Sequence, residues 1–239
     1  DGISVLALEV EDAQAVFHAA VARGARPAAS PRRVTATEGS VTTAEVFTPS
    51  DLRYRLVERR DPSGKLVTDF SRPALMLEGL VAKRLESPSP LKIRVIDHLT
   101  NNVGMGEMAT WVEWYKRVFD FKVTRHFDIR TGRTGLTSDV VESQDRKVKV
   151  PINEATEKAS QVQEFVDRFH GVGVQHLAFL TTDIALTVSD LRKRGVSFLS
   201  VPATYYETVP TRVPGVTESL RDLQELGLLL DGDQDGYLM

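Results

Sequence analysis

Apolar residues near the start of the chain switch from a strand pattern to a helical one. Residues 2–10 favour a strand, and a stripe of apolar side chains at spacings of three and four follows it. Asp12 precedes the stripe and can accept the free N–H groups of a first helical turn. Gly24 follows it and is typical of a helix end. The pattern predicts a strand, a helix and a second strand. The stripe consists of Ala13, Val16, Phe17, Ala20 and Val21.

The same unit recurs 171 residues later. Gly2–Asp12 aligns without gaps with Gly173–Asp183, and the alignment continues through Gly24 over Gly195. In the second copy Asp183 precedes another apolar stripe, formed by Ile184, Val188 and Leu191. The repeat predicts a duplicated β-α-β unit, with a strand again expected after Gly195.

The remaining segments favour strands separated by single helices. Single helices between strands, in repeated units, indicate an α+β architecture of open curved sheets or barrels with helices outside. Strands are predicted at 41–47, 52–57, 91–100, 122–129, 135–141 and 147–152, helices at 108–119, 162–169 and 216–226, and a hairpin at 228–239.

Turn-forming residues divide the chain into two parts. Asp61–Gly64 and Ser87–Pro90 are rich in Pro, Ser and Gly, which predicts a linker over 69–90. We therefore expect a partial N-terminal domain at 1–68 and a second domain at 91–239. The chain begins without Met and ends on apolar residues, so we expect both ends to be cut.

Composition excludes several classes of site. The 239 residues carry a net charge of −3, so there is no basic excess for nucleic acid or an anionic membrane surface. No apolar run approaches the roughly 20 residues of a membrane span. The chain has no Cys, so a metal site here has to use His and carboxylates. We expect a soluble, cytoplasmic protein.

Two of the five histidines lie in predicted strands. His98 shares a strand face with Arg94 and Thr100, which is too polar for a core and favours an open cavity. His176 aligns with Val5 of the first copy, so an apolar residue fits that position. Metal ligation and a buried His with one hydrogen bond both remain open for the pair. The other three are expected to be structural or at the surface: His18, His126 and His170.

The other motifs in the sequence do not support a further functional site. Asp231–Gly236 matches the opening of a calcium-binding loop, but its closing Glu would fall at position 242 and its flanks favour strands. An acidic β-turn is the better interpretation. The chain has no glycine-rich phosphate loop, G-x-S-x-G or H-E-x-x-H, so nucleotide binding and a serine triad have no support.

Several segments together resemble the 4-hydroxyphenylpyruvate dioxygenase family. They follow the order and spacing of that family across residues 91–239, while 1–59 resemble the second part of its N-terminal domain. The family has the vicinal oxygen chelate fold of β-α-β-β-β modules, in agreement with the repeat. The segments are Val95–Val103, Gly135–Ser138, Val150–Glu154, Ser160–Phe165, Gly173–Phe179 and Thr204–Tyr206.

The resemblance implies an Fe(II) enzyme of tyrosine catabolism that uses O₂. Its substrate would be a small aromatic 2-oxo acid, 4-hydroxyphenylpyruvate, converted to homogentisate and CO₂, and it would form a homo-oligomer, a dimer or tetramer. His98 and His176 match the two histidine ligands of the metal, and a Glu expected after Met239 would be the third. Two imidazoles and one carboxylate suit ferrous iron and leave positions open for substrate and O₂.

Four polar residues match the substrate pocket of the family: Ser138, Asn153, Gln161 and Gln175. Asn153 could also be a turn residue, and Gln161 flanks an apolar helix face and could point either way. Strict alternation puts Gln175 on the strand face opposite His176, so both reach one site only through a bulge or twist.

The N-terminal part is expected to have a structural role without a metal. Val5 replaces His176, and Arg53 and Arg55 lie where the second domain would place its Glu, so they would repel a cation. Three alternatives remain open. One is 4-hydroxymandelate synthase, with the same substrate and metal. The others are a metal-free binding module and a metal-dependent lyase or isomerase that does not use O₂.

Overall fold

A computed structural model of the protein describes residues 2–68, 92–131, 134–213, 215–232 and 236–238. The predicted linker at 69–90 lies outside the described residues. The elements are β1 (Val5–Glu9), α1 (Ala13–Ala22), β2 (Arg26–Ala36), β3 (Gly39–Phe47), β4 (Arg53–Arg60), β5 (Ile93–Val103), α2 (Met108–Phe119), β6 (Lys122–Thr131), β7 (Thr134–Glu142), β8 (Lys149–Ala155), α3 (Gln161–Phe169), β9 (Gly173–Thr181), α4 (Ile184–Lys193), α5 (Ala203–Arg212), α6 (Leu220–Leu226), β10 (Asp231–Gly232) and β11 (Tyr237–Leu238).

The first β-α-β-β-β module forms a four-stranded sheet in the order β1-β4-β3-β2. Strand β1 runs parallel to β4, and the other neighbours are antiparallel. Helix α1 begins where predicted, because Asp12 Oδ1 accepts from the Ala15 N–H at 2.8 Å. It buries Ala13, Phe17 and Ala20, which belong to the predicted stripe.

The second module repeats this arrangement. In the order β6-β7-β8-β5-β9, strand β5 is parallel to β8 as β1 is to β4. Strand β9 lies on the other side of β5 and begins the second copy of the sequence repeat. Helix α4 of this copy is capped by Asp183 as predicted. The α+β architecture of β-α-β-β-β modules is confirmed. Among the described strands both sheets are open, and neither closes into a barrel.

Helix α2 decides which face of the second sheet is buried. Its Trp111, Trp114 and Tyr115 are buried in one core with Tyr54 of β4. On β5, the side chains of Leu99, Asn101 and Val103 alternate toward that core and are almost fully buried. The alternate residues His98, Thr100 and Asn102 therefore lie on the opposite face.

The second copy of the sequence repeat departs from the predicted pattern after Gly195. No strand follows it: residues 196–202 have no regular structure, and helix α5 follows instead. Tyr206 and Val209 of α5 are buried against Leu223 and Leu228. This packing requires a helix, which the sequence repeat did not predict.

The final predicted elements are shifted. Helix α6 begins at Leu220 rather than at 216, because the Ser219 side chain accepts from the Asp222 N–H. Pairing in the hairpin begins at β10 instead of 228–230. The hydroxyls of Tyr206 and Tyr205 donate to the carbonyl oxygens of Leu228 and Leu230, so these residues bond to α5 rather than to a strand. Most of the predicted acidic turn, 233–235, lies outside the described residues.

The described residues divide into two compact units. One contains 2–68 and 96–178, and the other contains 92–95 and the described residues from 179 onward. The first unit holds the first module and all but the start of β5 of the second, so packing groups the chain differently from its division at the predicted linker. Of the described helices, none has the length and apolar character needed to cross a membrane.

Candidate metal centre

The two histidines from the predicted strands meet on the face of the second sheet opposite the core formed with α2. His98 lies on β5 and His176 on the neighbouring strand β9, with ring centres 5.7 Å apart and ring planes at 77°. Two imidazoles that each bind one cation through a nitrogen at about 2.1 Å have ring centres at most roughly 6.5 Å apart. The separation is therefore compatible with a shared ion.

Asp97 orients the ring of His98. Its Oδ2 lies 2.9 Å from His98 Nδ1, and its Oδ1 accepts from Lys149 Nζ at 2.8 Å. The bond with His98, and then that with Lys149, hold the pKa of Asp97 below its ordinary value. An ionised carboxylate only accepts, so Nδ1 carries the hydrogen and the Nε2 lone pair remains for a ligand.

His176 is held at both ring nitrogens. Its Nδ1 donates to Oε1 of Gln175, because an amide oxygen only accepts, and Nε2 lies 3.0 Å from Oγ1 of Thr100. Although part of its surface is exposed, partial desolvation of the ring, and then the nearby His98, lower the pKa of His176. The lowered pKa favours the neutral imidazole, which is the form that binds metals.

Strand β9 does not alternate strictly at this point. Gly173 and Val174 are buried, whereas Gln175 and His176 are both exposed and their side chains bond to each other. The conflict expected from alternation is thus removed by an irregularity of β9. Gln175 lies beside His176, and its amide NH₂ group can still donate to a ligand.

A row of uncharged polar residues crosses the same face. Ser138 on β7 is the direct partner of Asn153 on β8, and Asn153 is the direct partner of Asn102 on β5. Direct partners project from the same side of a sheet. Asn153 Nδ2 donates to Asn102 Oδ1 at 3.4 Å. Because Asn102 shares its face with His98, the row begins beside the histidine pair.

Gln161 lies apart from this row. It is the exposed first residue of α3, in a shallow depression that also contains Lys158, Glu164 and Arg168. Among the described contacts, none connects Gln161 with the histidines or with Asn153.

The other histidines have ordinary surroundings. His18 is exposed on α1, and His126 is exposed with its Nδ1 2.6 Å from Asp139 Oδ1. His170 ends α3 in a left-handed conformation with φ of 59°. These positions agree with the structural or surface roles expected from the sequence.

The corresponding position of the first module holds cations. Val5 pairs with Arg53, and Glu45 accepts from Arg53 at 3.0 Å and from Arg55 at 2.6 Å. The Glu45 carboxylate is almost buried between the two guanidinium groups. Its oxygens are therefore committed to arginine.

The donor set of His98 and His176 fits a resident transition metal. Each ring has an acceptor at Nδ1, as histidine ligands of metals commonly do, which leaves Nε2 for a metal. No group of three or more His, Asp or Glu able to hold a metal occurs among the described residues. Sequence reasoning missed Asp97 and Asn102 as members of the site. Two signals were available. Asp97 is next to His98 in the sequence, and Asn102 lies four residues after His98 on the same strand face.

Comparison with known proteins agrees with this geometry. Residues 95–212 match the family model of the Glyoxalase/Bleomycin resistance protein/Dioxygenase superfamily. The chain belongs to this superfamily. Over its whole length it is 34% identical to 4-hydroxyphenylpyruvate dioxygenase from Tetrahymena thermophila, covering 60% of that protein. Over 65% of its length it is 44% identical to the enzyme of that name from Pseudomonas aeruginosa, covering 44% of it.

A solved structure shows the same fold over almost the whole chain. It is a mutant of 4-hydroxymandelate synthase from Streptomyces coelicolor, with a TM-score of 0.74 and 26% identity, covering 98% of this chain and 64% of that one. The predicted resemblance and the vicinal oxygen chelate fold are confirmed. The chain spans about half to two thirds of the length of the curated relatives that it matches.

Proposed function

We propose that the protein converts 4-hydroxyphenylpyruvate and O₂ into homogentisate and CO₂, with Fe(II) as its metal. The observation that carries this proposal is the pair His98 and His176, whose rings meet beside a row of uncharged polar side chains. The names of the curated relatives support a dioxygenase and an aromatic 2-oxo acid.

His98 and His176 would bind the iron through Nε2. The third ligand in this proposal is the Glu that the family resemblance implies after Met239. When bound, ferrous iron supplies sites for the 2-oxo acid and O₂, and decarboxylation of the 2-oxo acid supplies electrons to O₂. Asp97 and Gln175 keep both rings in the orientation and tautomer that this ligation needs.

The polar row would orient the substrate. Asn153 and Ser138 offer amide and hydroxyl groups to the keto acid or the phenol without adding charge beside the metal. The NH₂ group of Gln175 can donate to a substrate oxygen while its Oε1 holds His176. Gln161 belongs to the proposal through the family resemblance alone, because it lies exposed in a surface depression at the start of α3.

The remaining assignments also rest on the resemblance. Residues 1–68 would form a structural part that binds no metal, 69–90 a linker, and 91–239 the catalytic part. In the first module the pairing of Glu45 with Arg53 and Arg55 supports this division of roles. A homo-oligomer and a cytoplasmic location complete the proposal.

The competing function is that of 4-hydroxymandelate synthase. The likeness to that enzyme in structure favours it as the second candidate. It would use the same substrate and metal but hydroxylate the benzylic carbon. A metal-free binding protein of the same fold would consume no O₂.

Product analysis tests the proposal. Purified protein that includes the segment after Met239 is loaded with Fe(II) without air, mixed with 4-hydroxyphenylpyruvate and O₂, and analysed for O₂ uptake, CO₂ and aromatic product. Homogentisate is the expected product. O₂ uptake should be lost in H98A and H176A and unchanged in H126A, whose histidine lies outside the pair. Hydroxymandelate would replace the proposed function by the alternative, and absence of O₂ uptake in iron-loaded protein would overturn both.

A further inference from the structure

Thr100 lies against the ligand atom of His176. Its Oγ1 is 3.0 Å from His176 Nε2, and Thr100 is only 2% exposed on the face of β5 that carries His98. Because Nδ1 of His176 donates to Gln175, Nε2 carries the lone pair. The Thr100 hydroxyl therefore donates its hydrogen into the lone pair that a metal would need.

A metal and this hydroxyl compete for one direction in space. A cation would lie about 2.1 Å from Nε2 along the lone pair, in the same direction as the hydroxyl oxygen. Both cannot occupy that direction. A threonine side chain has three staggered positions about its first torsion, so one rotation moves Oγ1 away from Nε2.

We propose that Thr100 is a positioning residue which holds His176 ready for the metal and must release Nε2 before the metal binds. The inference rests on the proposed function, since it assumes that His176 is a metal ligand. The hydroxyl keeps the lone pair directed into the site in the metal-free protein. The same hydrogen bond weakens the metal site, because it has to be broken whenever a cation enters.

The inference predicts that removal of the hydroxyl tightens metal binding. Thr100→Val keeps the shape and the β-branch but cannot donate, while Gln175 still fixes the tautomer of His176. We expect the dissociation constant for Co(II) or Fe(II) to fall about fivefold, which corresponds to the net value of one ordinary hydrogen bond. Thr100→Ser retains a hydroxyl and is expected to bind metal as the unaltered protein does.

Anaerobic titration of metal-free protein with Co(II), followed by absorption and repeated with Fe(II) by calorimetry, tests this. Nitrogen NMR of the His176 imidazole in metal-free protein gives a second measurement that needs no activity. In T100V the Nε2 signal should move toward that of a nitrogen without a hydrogen bond, and in T100S it should stay. Circular dichroism checks that both variants are folded.

The outcomes separate the inference from the proposed function. If H176A weakens metal binding but T100V and T100S bind metal equally, or T100V binds more weakly, the inference is wrong and the metal centre stands. If H176A binds Co(II) as tightly as the unaltered protein, the metal centre itself is wrong, and the inference falls with it.

Discussion

The hydroxyl groups of Tyr54 and Tyr115 lie 2.9 Å apart in the core that joins β4 to α2. Both residues are fully buried, and the Tyr115 hydroxyl also accepts from Asn101 Nδ2 at 3.2 Å. Tyr115 therefore has two polar partners, whereas Tyr54 has one. This small network connects the first module to the strand that carries His98.

The two tyrosines are expected to differ in their value to stability. Y54F removes one hydrogen bond while Tyr115 keeps Asn101, so the free energy of unfolding should fall by about 1 kcal/mol. Y115F leaves both Tyr54 and Asn101 without that partner in the core, and a loss of about 2–3 kcal/mol is expected. Urea unfolding measures both.

The matched control is Y237F, because the ring of Tyr237 is only partly buried and its hydroxyl bonds to Glu218 at the surface. It should change the free energy of unfolding by less than about 0.5 kcal/mol. Equal losses in Y54F and Y115F would contradict the network as described.

The same pair predicts loss of stability in alkali. Burial raises the pKa of Tyr54, and burial and then Tyr54 itself raise that of Tyr115. In the unfolded chain tyrosine titrates near about 10, so the unfolded state loses these protons first. The stabilisation is fully present below about pH 10 and decreases as pH rises above that value toward the folded pKa.

Y54F removes one of these groups, so its free energy of unfolding should decrease less steeply between about pH 9 and 11. Urea titrations at several pH values give the two slopes. Identical slopes for Y54F and the unaltered protein would show that the buried hydroxyls do not govern the alkaline decrease.

Asp97 offers a test of metal affinity that leaves both proposed ligands, His98 and His176, in place. D97N keeps an acceptor near His98 Nδ1 but removes the charge, so the ring becomes a weaker ligand. Loss of such a partner typically lowers metal affinity about 10- to 100-fold. The prediction is a decrease of that size in Co(II) affinity.

Asp139 provides the control, because it holds the exposed His126 through Nδ1 as Asp97 holds His98. D139N should leave Co(II) affinity unchanged. A similar decrease in both variants would indicate a general electrostatic effect rather than orientation of His98.

Local signals in the sequence predicted much of the fold. Asp12 and Asp183 cap helices at the aligned positions, and Gly24 and Gly195 follow those helices with φ near +90°. These features depend on a few neighbouring residues, so they can be recognised without the structure. Helix α5 could not be predicted in this way, because it is stabilised by burial of Tyr206 and Val209 against residues that come later in the chain.

For the site, too, only some features could be predicted from the sequence. The shared site of His98 and His176 was implied by the family resemblance, whereas their strand positions and Val5 in the first copy of the repeat also allowed a buried His with one hydrogen bond. The bonds of His176 to Gln175 and Thr100 were not predicted, because strict alternation fails in β9 and the partner strand is 76 residues away. Contacts between distant strands depend on register, which one sequence does not fix.

The repeated helix caps should respond unequally to the same substitution. Asp12 accepts from Ala15 N–H at 2.8 Å and Asp183 from Leu186 N–H at 2.9 Å. Helix α1 has a further acceptor, because Glu58 of β4 bonds the Ala13 N–H at 3.1 Å. D12A should therefore expose only part of the first turn of α1, with a loss of about 1 kcal/mol in the free energy of unfolding.

Among the described residues, no second side chain is seen to accept from the first turn of α4 besides Asp183. The contact of Asp183 with Lys92 at 3.4 Å is exposed and contributes little. D183A should therefore increase hydrogen exchange at the first amides of α4 more than D12A does at those of α1. Asn at either position keeps an acceptor and should restore slow exchange. Equal exchange in D12A and D183A would mean that Glu58 does not hold α1, and the difference between the two copies would then have to lie elsewhere.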